Sequence, residues 1–375
     1  MTKYTIETNY QDLQSQTLNI IRFPLIILVV FIHNQGIGDK LSDIYINWSN
    51  LSDIDYYNFI RLFTVQVIAR IAVPAFFIIS GFLFFFNVTF FDKNNYLIKL
   101  RKRFKTLFIP YVIWNVLATL PIYDLSLYFF KGIPLNLDHN LLEIFWNNSC
   151  DIWYDRFGFE HHLCYPLNVP LWYIRDLIMM VIVSPIIYHL IKNIPFLFFS
   201  LLTICGISGI WIDLIGFHYD AVLFFSLGAI LGIRKINLVE FCSKIAKINY
   251  VITIITMIVL TYTLSTKNPS YGLKYFFYIS CICSIVNLCS TFLQKRYIKP
   301  INILQKSTFF IYAYHNLPSS IILVAVTSLV YKLPISNICA FLLIPFIKVV
   351  YCLLIYSFLE KKCPKILGFI TGSRS

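Results

Sequence analysis

Arg22 and His33 stand at the two ends of the apolar run "RFPLIILVVFIH". An ionisable side chain in such a run is expensive to bury and is a functional candidate by default. Read as a helix, the eleven-residue step makes three turns plus roughly 20°, which puts both side chains on one face about 16 Å apart along the axis. That face offers a fixed cation at one end and a titratable imidazole at the other. The pair suits a long, thin ligand with an anionic head and a reactive tail. The alternative is that Arg22 snorkels to lipid headgroups while His33 caps the helix in interfacial water.

Four further clusters set polar chemistry against apolar surroundings. "RIAVPAFFIISGFLFFF" begins with Arg70, contains the kinking Pro74, and carries Ser80-Gly81, which permits a close helix contact or a bend. Ordinary helix packing with Arg70 at the membrane interface is the plainer reading. "KLRKRFKTLFIPYVIW" gathers Arg101, Lys102 and Arg103 with Lys99 and Lys105, and Lys93 just upstream makes six basic residues before Pro110. Such a patch anchors topology and can also bind a polyphosphate. "PLWYIRDLIMM" places Trp172 at a membrane interface and Arg175 and Asp176 inside the span. As neighbours on a helix these two diverge, so each is expected to need its own partner. "STFFIYAYHNLP" sets His315 about two turns into a span, as a core histidine or a site residue. The loop before Trp172 holds Glu160, His161 and His162. Adjacent histidines do not readily share one ion, so no metal site is expected there. Cys150 and Cys164 share that loop and are able to bridge if it is extracytoplasmic.

The elements that must position these residues follow from composition. The chain has 375 residues, of which 58% are hydrophobic and only 13% charged, and its mean hydropathy is +0.71. An ordinary soluble domain carries roughly 25% charged residues; this balance instead suits a surface that faces lipid. The net charge of +13 does not point to nucleic acid, because the basic residues sit in short loops between apolar runs. Spans are expected at roughly 17–37, 67–90, 107–125, 169–191, 195–215, 219–233, 248–266, 273–293, 308–330 and 335–358, making a single all-α bundle of about ten transmembrane helices. Residues 57–66 and 236–247 read as amphipathic interfacial helices. With the N-terminus inside, cytoplasmic segments hold twenty Lys and Arg and the outer loops six, so both termini are expected in the cytoplasm. The polar start shows no cleavable signal, and no linker marks off a separate soluble domain.

Taken in order, Arg22 with His33, "VPAFFIISGFLFF", "RKRFKTLFIPYVIW", "LWYIRDL" and "STFFIYAYHN" resemble the membrane acyltransferase-three family over about residues 15–360. The resemblance implies an integral-membrane O-acyltransferase of the bacterial inner membrane. It would take an acyl group, most simply acetyl, from cytoplasmic acyl-coenzyme A to a hydroxyl of a surface polysaccharide or lipid-linked glycan precursor. Its partners would be membrane lipid and that glycan, without metal or nucleic acid. His33 matches the family's essential histidine, as general base or as acyl carrier, and Arg22 matches its paired arginine. Arg22 with Arg101, Lys102 and Arg103 would hold coenzyme phosphates, and Asp176 is the candidate to orient His33. Arg70, Ser80, Gly81, Trp172, Arg175 and His315 would bind substrate or support the site. One departure is Thr106, where many members carry a second basic-loop arginine. A transporter or flippase is the competing class; it predicts inverted repeats, and the sequence shows none.

Overall fold

The computed structural model describes residues 2–86, 88, 91–120, 140–154, 158, 160–212, 214–268, 270, 272–317 and 320–373, with side chains from residue 11 onward except Trp153 and Ile321. The second part of the expected span 107–125, the loop cations Lys131 and Arg156, and Arg374 lie outside the described residues.

The all-α, polytopic architecture is what the composition requires. Helices α1 (Thr2–Ile32), α2 (Asp53–Leu62), α3 (Ala72–Phe86), α4 (Lys93–Arg103) and α5 (Ile109–Ala118) precede a two-stranded antiparallel hairpin, β1 (Ser149–Tyr154) and β2 (Glu160–Tyr165). Then come α6 (Trp172–Ile182), α7 (Ser184–Asn193), α8 (Pro195–Ser208), α9 (Tyr219–Ile233), α10 (Leu238–Ser265) and α11 (Leu273–Gln294). The chain closes with α12 (Asn302–Tyr314), α13 (Ile321–Tyr331), α14 (Asn337–Lys362) and α15 (Pro364–Thr371). Among the described residues, five stretches are long and apolar enough to cross a bilayer: Gln11–Ile32, Asp53–Phe86, Leu238–Ser265, Leu273–Gln294 and Asn337–Lys362. Val169–Ile182 and Ser184–Asn193 form a sixth if counted as one span bent by 61°. Pro195–Ser208, Tyr219–Ile233 and Ile322–Tyr331 are shorter apolar helices. Among the described residues, five or six stretches are thus long and apolar enough to span, against an expectation of ten.

Prolines explain the breaks. Pro185 has no N–H to give the carbonyl of Val181, four residues back. The hydroxyl of the neighbouring Ser184 donates to that oxygen at 2.8 Å instead, the kind of local repair that makes a bend tolerable at membrane depth. Pro74 likewise deprives the carbonyl of Arg70 of its donor. Ahead of it the helix passes through a π segment, Phe63–Ile68, and a 3₁₀ turn, Ala69–Ile71. This corrects two sequence expectations. Residues 57–66 are not a separate helix but lie near the start of the 34-residue stretch Asp53–Phe86, and 238–247 belong to the 28-residue α10. Both segments looked amphipathic because polar residues crowd the first turns of long spans.

The contacts divide the chain into two compact units. The first comprises Met1–Val88, Phe199–Ser208 and Leu223–Gln305; the second comprises Thr89–Phe198, Gly209–Val222 and Lys306–Ser375. In the first unit α10 and α11 fold back on each other around a polar seam. Asn249 donates to the carbonyl of Ser280 and to Ser284 Oγ, both at 2.8 Å. Ile248, Val251, Ile255 and Ile258 of α10 are exposed. Polar groups inside and isoleucines outside reverse the soluble pattern, as lipid solvent requires. α3 meets α9 backbone to backbone. A Cβ on Gly81 would fall 2.1 Å from the carbonyl oxygen of Phe225, and one on Gly228 would fall 2.0 Å from that of Ile78. In the second unit the Cys150–Cys164 disulfide joins directly opposed residues of the hairpin.

Candidate functional site

Helix α1 sets the geometry of the first site. Leu18, Leu25 and Val29 are 1–3% exposed and lie on the same helical stripe as Arg22 and His33. Arg22 and His33 themselves are half-buried. The face that carries them is thus the inward face of the helix over Leu18, Leu25 and Val29. Next to it, Leu18, Ile21 and Leu25 line an apolar cavity of about 190 Å³ with residues of α3, α9, α10 and α11.

His33 is the residue immediately after the last helical position, Ile32. It therefore stands at the helix end and not deep within the helix. The chain leaves α1 through Asn34, whose N–H returns to the carbonyl of Phe31 at 3.0 Å. Gly36 and Gly38 then adopt φ of +78° and +96°, a region that suits glycine. Arg61, the last basic residue of α2, holds this exit. It is 1% exposed. Its Nε donates to the carbonyl of Gln35 at 2.8 Å, its Nη2 to that of Asp39 at 2.9 Å, and its Nη1 to Asn58 Oδ1 at 3.0 Å. The sequence reading missed Arg61. Its available signals were the Gly-x-Gly after the histidine and the start of α2, where Ser52 and Asp55 form a reciprocal capping box.

The remaining first-unit candidates serve the helices. Arg70 is exposed in the 3₁₀ turn midway along Asp53–Phe86, not at its start. Ser80 is half-buried, and Gly81 makes the close crossing with α9, as its residue type suggested.

In the second unit Arg175 and Asp176 do not seek separate partners. They pair with each other: Nε and Nη2 of Arg175 both lie 3.0 Å from Asp176 Oδ1, with the residues 3% and 0% exposed. The reach of an arginine side chain overcomes the divergence of adjacent helical positions. Arg175 Nη1 also donates to the carbonyls of Trp146 at 2.8 Å and Cys164 at 3.0 Å, and its guanidinium lies 5.5 Å from the Trp146 ring centre. Asp176 Oδ2 accepts the N–H of His218 at 3.2 Å, and the His218 ring meets Trp172 edge-on at 5.2 Å. Asp176 is thus first committed to tying the hairpin region and residue 218 to α6. His315 is 1% exposed, and its Nδ1 reaches the carbonyls of Ile311 and Tyr312 at 3.0 and 2.9 Å. Carbonyls only accept, so Nδ1 carries the proton and the ring closes the end of α12. Lys348, only 8% exposed, is buried within the apolar α14.

Arg101 and Lys102 are exposed at the end of α4 and Arg103 is half-buried. Lys99 shares a face with Lys102 and Arg103 at helical spacing. Burial lowers its pKa, and the Arg103 and Lys102 charges lower it further. The patch repels itself, which is the electrostatic state a polyanion relieves. On β2 the alternation of strand side chains separates His161, buried, from the exposed His162, whose Nε2 is 3.3 Å from Glu160 Oε1.

A family model described as an acyltransferase domain matches residues 16–357. The chain belongs to the acyltransferase-3 family. It is a multi-pass membrane acyltransferase, and the match runs from before the Arg22–His33 stripe into α14. No match is found among curated proteins or solved structures.

Proposed function

We propose that this acyltransferase moves an acyl group, in the simplest case acetyl, from cytoplasmic acyl-coenzyme A to a hydroxyl of a cell-surface or lipid-linked glycan, in the bacterial inner membrane with both termini cytoplasmic. The observation that carries the reading is the inward stripe of α1, with Arg22 on it and His33 at its end, about 16 Å apart along the axis at the ideal helical rise. That is roughly the reach of a pantetheine arm between a phosphate group and a thioester. Arg22 would take the phosphate end. The self-repelling helix Lys93–Arg103 independently supports a polyanionic donor.

At the other end His33 would act as general base. Its ring nitrogen takes the proton of the acceptor hydroxyl as the oxygen attacks the thioester carbon. The tetrahedral intermediate then collapses, the carbon–sulfur bond breaks, and the imidazolium returns its proton to the departing thiolate. The new ester and the free thiol balance the reaction without a further reagent.

The test is His33→Gln, assayed in native membranes with acetyl-coenzyme A as donor and thiol release as readout. A general base typically contributes about 10²–10⁴-fold. A loss of that size with normal membrane level and melting temperature is expected. Near wild-type turnover would return His33 to a capping role.

A further inference from the structure

The exit from α1 is held by a device that no stability argument explains easily. Arg61 buries a full charge, and its three donor nitrogens all end on neutral oxygens. A buried cation with no carboxylate among its described partners is a costly way to fasten a loop. The loop it fastens begins one residue after His33. Two of its carbonyls, those of Gln35 and Asp39, span the segment that includes Gly36 and Gly38. Tyr57, one helical turn before Arg61, completes the clamp. Its hydroxyl accepts the N–H of Ile37 at 3.0 Å, and its ring lies 5.3 Å from the Arg61 guanidinium carbon. Gly36 passes so close that an added Cβ would sit 2.7 Å from the Tyr57 hydroxyl and 2.8 Å from Arg61 Nε.

We infer that Arg61 is the positioning residue of His33: it fixes the chain leaving α1 and so aims the imidazole at the reacting atoms. The inference rests on the proposed role of His33. α1 restrains the histidine from its N-terminal side, and the clamp restrains it from the other. A planar guanidinium fork can hold oxygens in three directions at once, whereas a lysine ammonium cannot reproduce that fixed geometry. Arg61 acts through the loop and not as a reacting group: each of its three nitrogens donates to the protein's own oxygens.

Arg61→Lys, Tyr57→Phe and Gly36→Ala are measured in full-length protein in native membranes, with acetyl-coenzyme A as donor, thiol release as readout, and melting temperature alongside. A displacement of about 1 Å in a catalytic group can cost about 10²-fold. Arg61→Lys is expected to lower kcat by about that factor, and Tyr57→Phe by a smaller one, with KM for acetyl-coenzyme A within about twofold. Added to His33→Gln, Arg61→Lys should reduce the residual rate no further, since the group it aims is gone. Normal kcat in correctly inserted Arg61→Lys and Tyr57→Phe, or a change confined to KM, overturns the inference. Should Arg61→Lys fail to insert, Tyr57→Phe and Gly36→Ala decide by the same criterion. If His33→Gln is inactive while the clamp variants turn over normally, only the role of Arg61 falls. If His33→Gln itself turns over normally, the reading of His33 falls and takes the clamp's role with it.

Discussion

Each unit buries one arginine that leaves its helix to hold a loop, and the two do so with opposite electrostatics. Arg175 and Arg61 are 3% and 1% exposed, and each lies over an aromatic ring, Trp146 and Tyr57. Each donates to two backbone carbonyls. Arg175 is neutralised by the carboxylate of Asp176, whereas among the described residues Arg61 donates to neutral oxygens. The neutralised clamp binds the disulfide-linked hairpin region and fits a purely structural task. The uncompensated clamp stands beside the candidate base, where a fixed positive charge and a fixed loop both bear on chemistry. A buried ion pair and a buried lone cation should also fail differently when one member is removed.

The largest expected effect is at Asp176. Asp176→Ala strands the Arg175 charge in the interior, and breaking a buried pair in this way typically costs about 3–5 kcal/mol. Thermal unfolding in detergent should show a large drop, with much of it recovered when Arg175 is replaced by Met as well. A variant that melts like the wild type but loses turnover would instead give Asp176 a chemical role. Arg61→Met should be milder for stability. It leaves no orphan charge, only oxygens that lose their donors, an effect of about 1–3 kcal/mol. Its melting temperature should fall less than that of Asp176→Ala while its kcat falls more. The reverse order would erase the distinction between the two clamps.

The smallest effect concerns charges that no clamp holds. Replacing Arg101 and Lys102 with Gln should raise the apparent KM for acyl-coenzyme A several-fold at low ionic strength and little at high salt, where the Debye length is only about 3 Å. Lys99 adds a sign to this. Burial, and then the neighbouring charges, hold its pKa below the ordinary 10.5, so charged Lys99 opposes folding at neutral pH, and that penalty fades as pH rises from the lowered pKa towards 10.5. Salt or a bound polyanion should relieve the part that comes from Arg103 and Lys102. A KM indifferent to both salt and substitution would leave the patch as a topology anchor.

Much of this was readable along the chain, for reasons of period and composition. The stripe joining Arg22 to His33 follows from 3.6 residues per turn, and the long apolar runs of α1, α10, α11 and α14 announce their spans. The close crossing at Gly81 follows from its missing side chain. What was misread shares one cause, a local rule overridden by reach. Adjacent Arg175 and Asp176 diverge as helix positions, yet a long flexible side chain brings their charged ends together. Residues 57–66 look interfacial as an isolated segment, yet the helix continues through a π turn. Arg61 was passed over because its partners, Gln35 and Asp39, lie 26 and 22 residues away and are backbone oxygens, which any residue type carries.

By itself the amino-acid order determined the class of solvent the chain needs, the helices that meet it, and the face of α1 on which a cation and an imidazole align. These depend on transfer energies and helical pitch, both local quantities. Only the tertiary structure decided that the buried Arg175 is neutralised by Asp176, and that Arg61, on neutral oxygens among the described residues, grips the chain beside His33. Such pairings are set by which carbonyls and carboxylates packing brings within about 3 Å of a donor, and that distance is a property of the fold, not of neighbours in sequence.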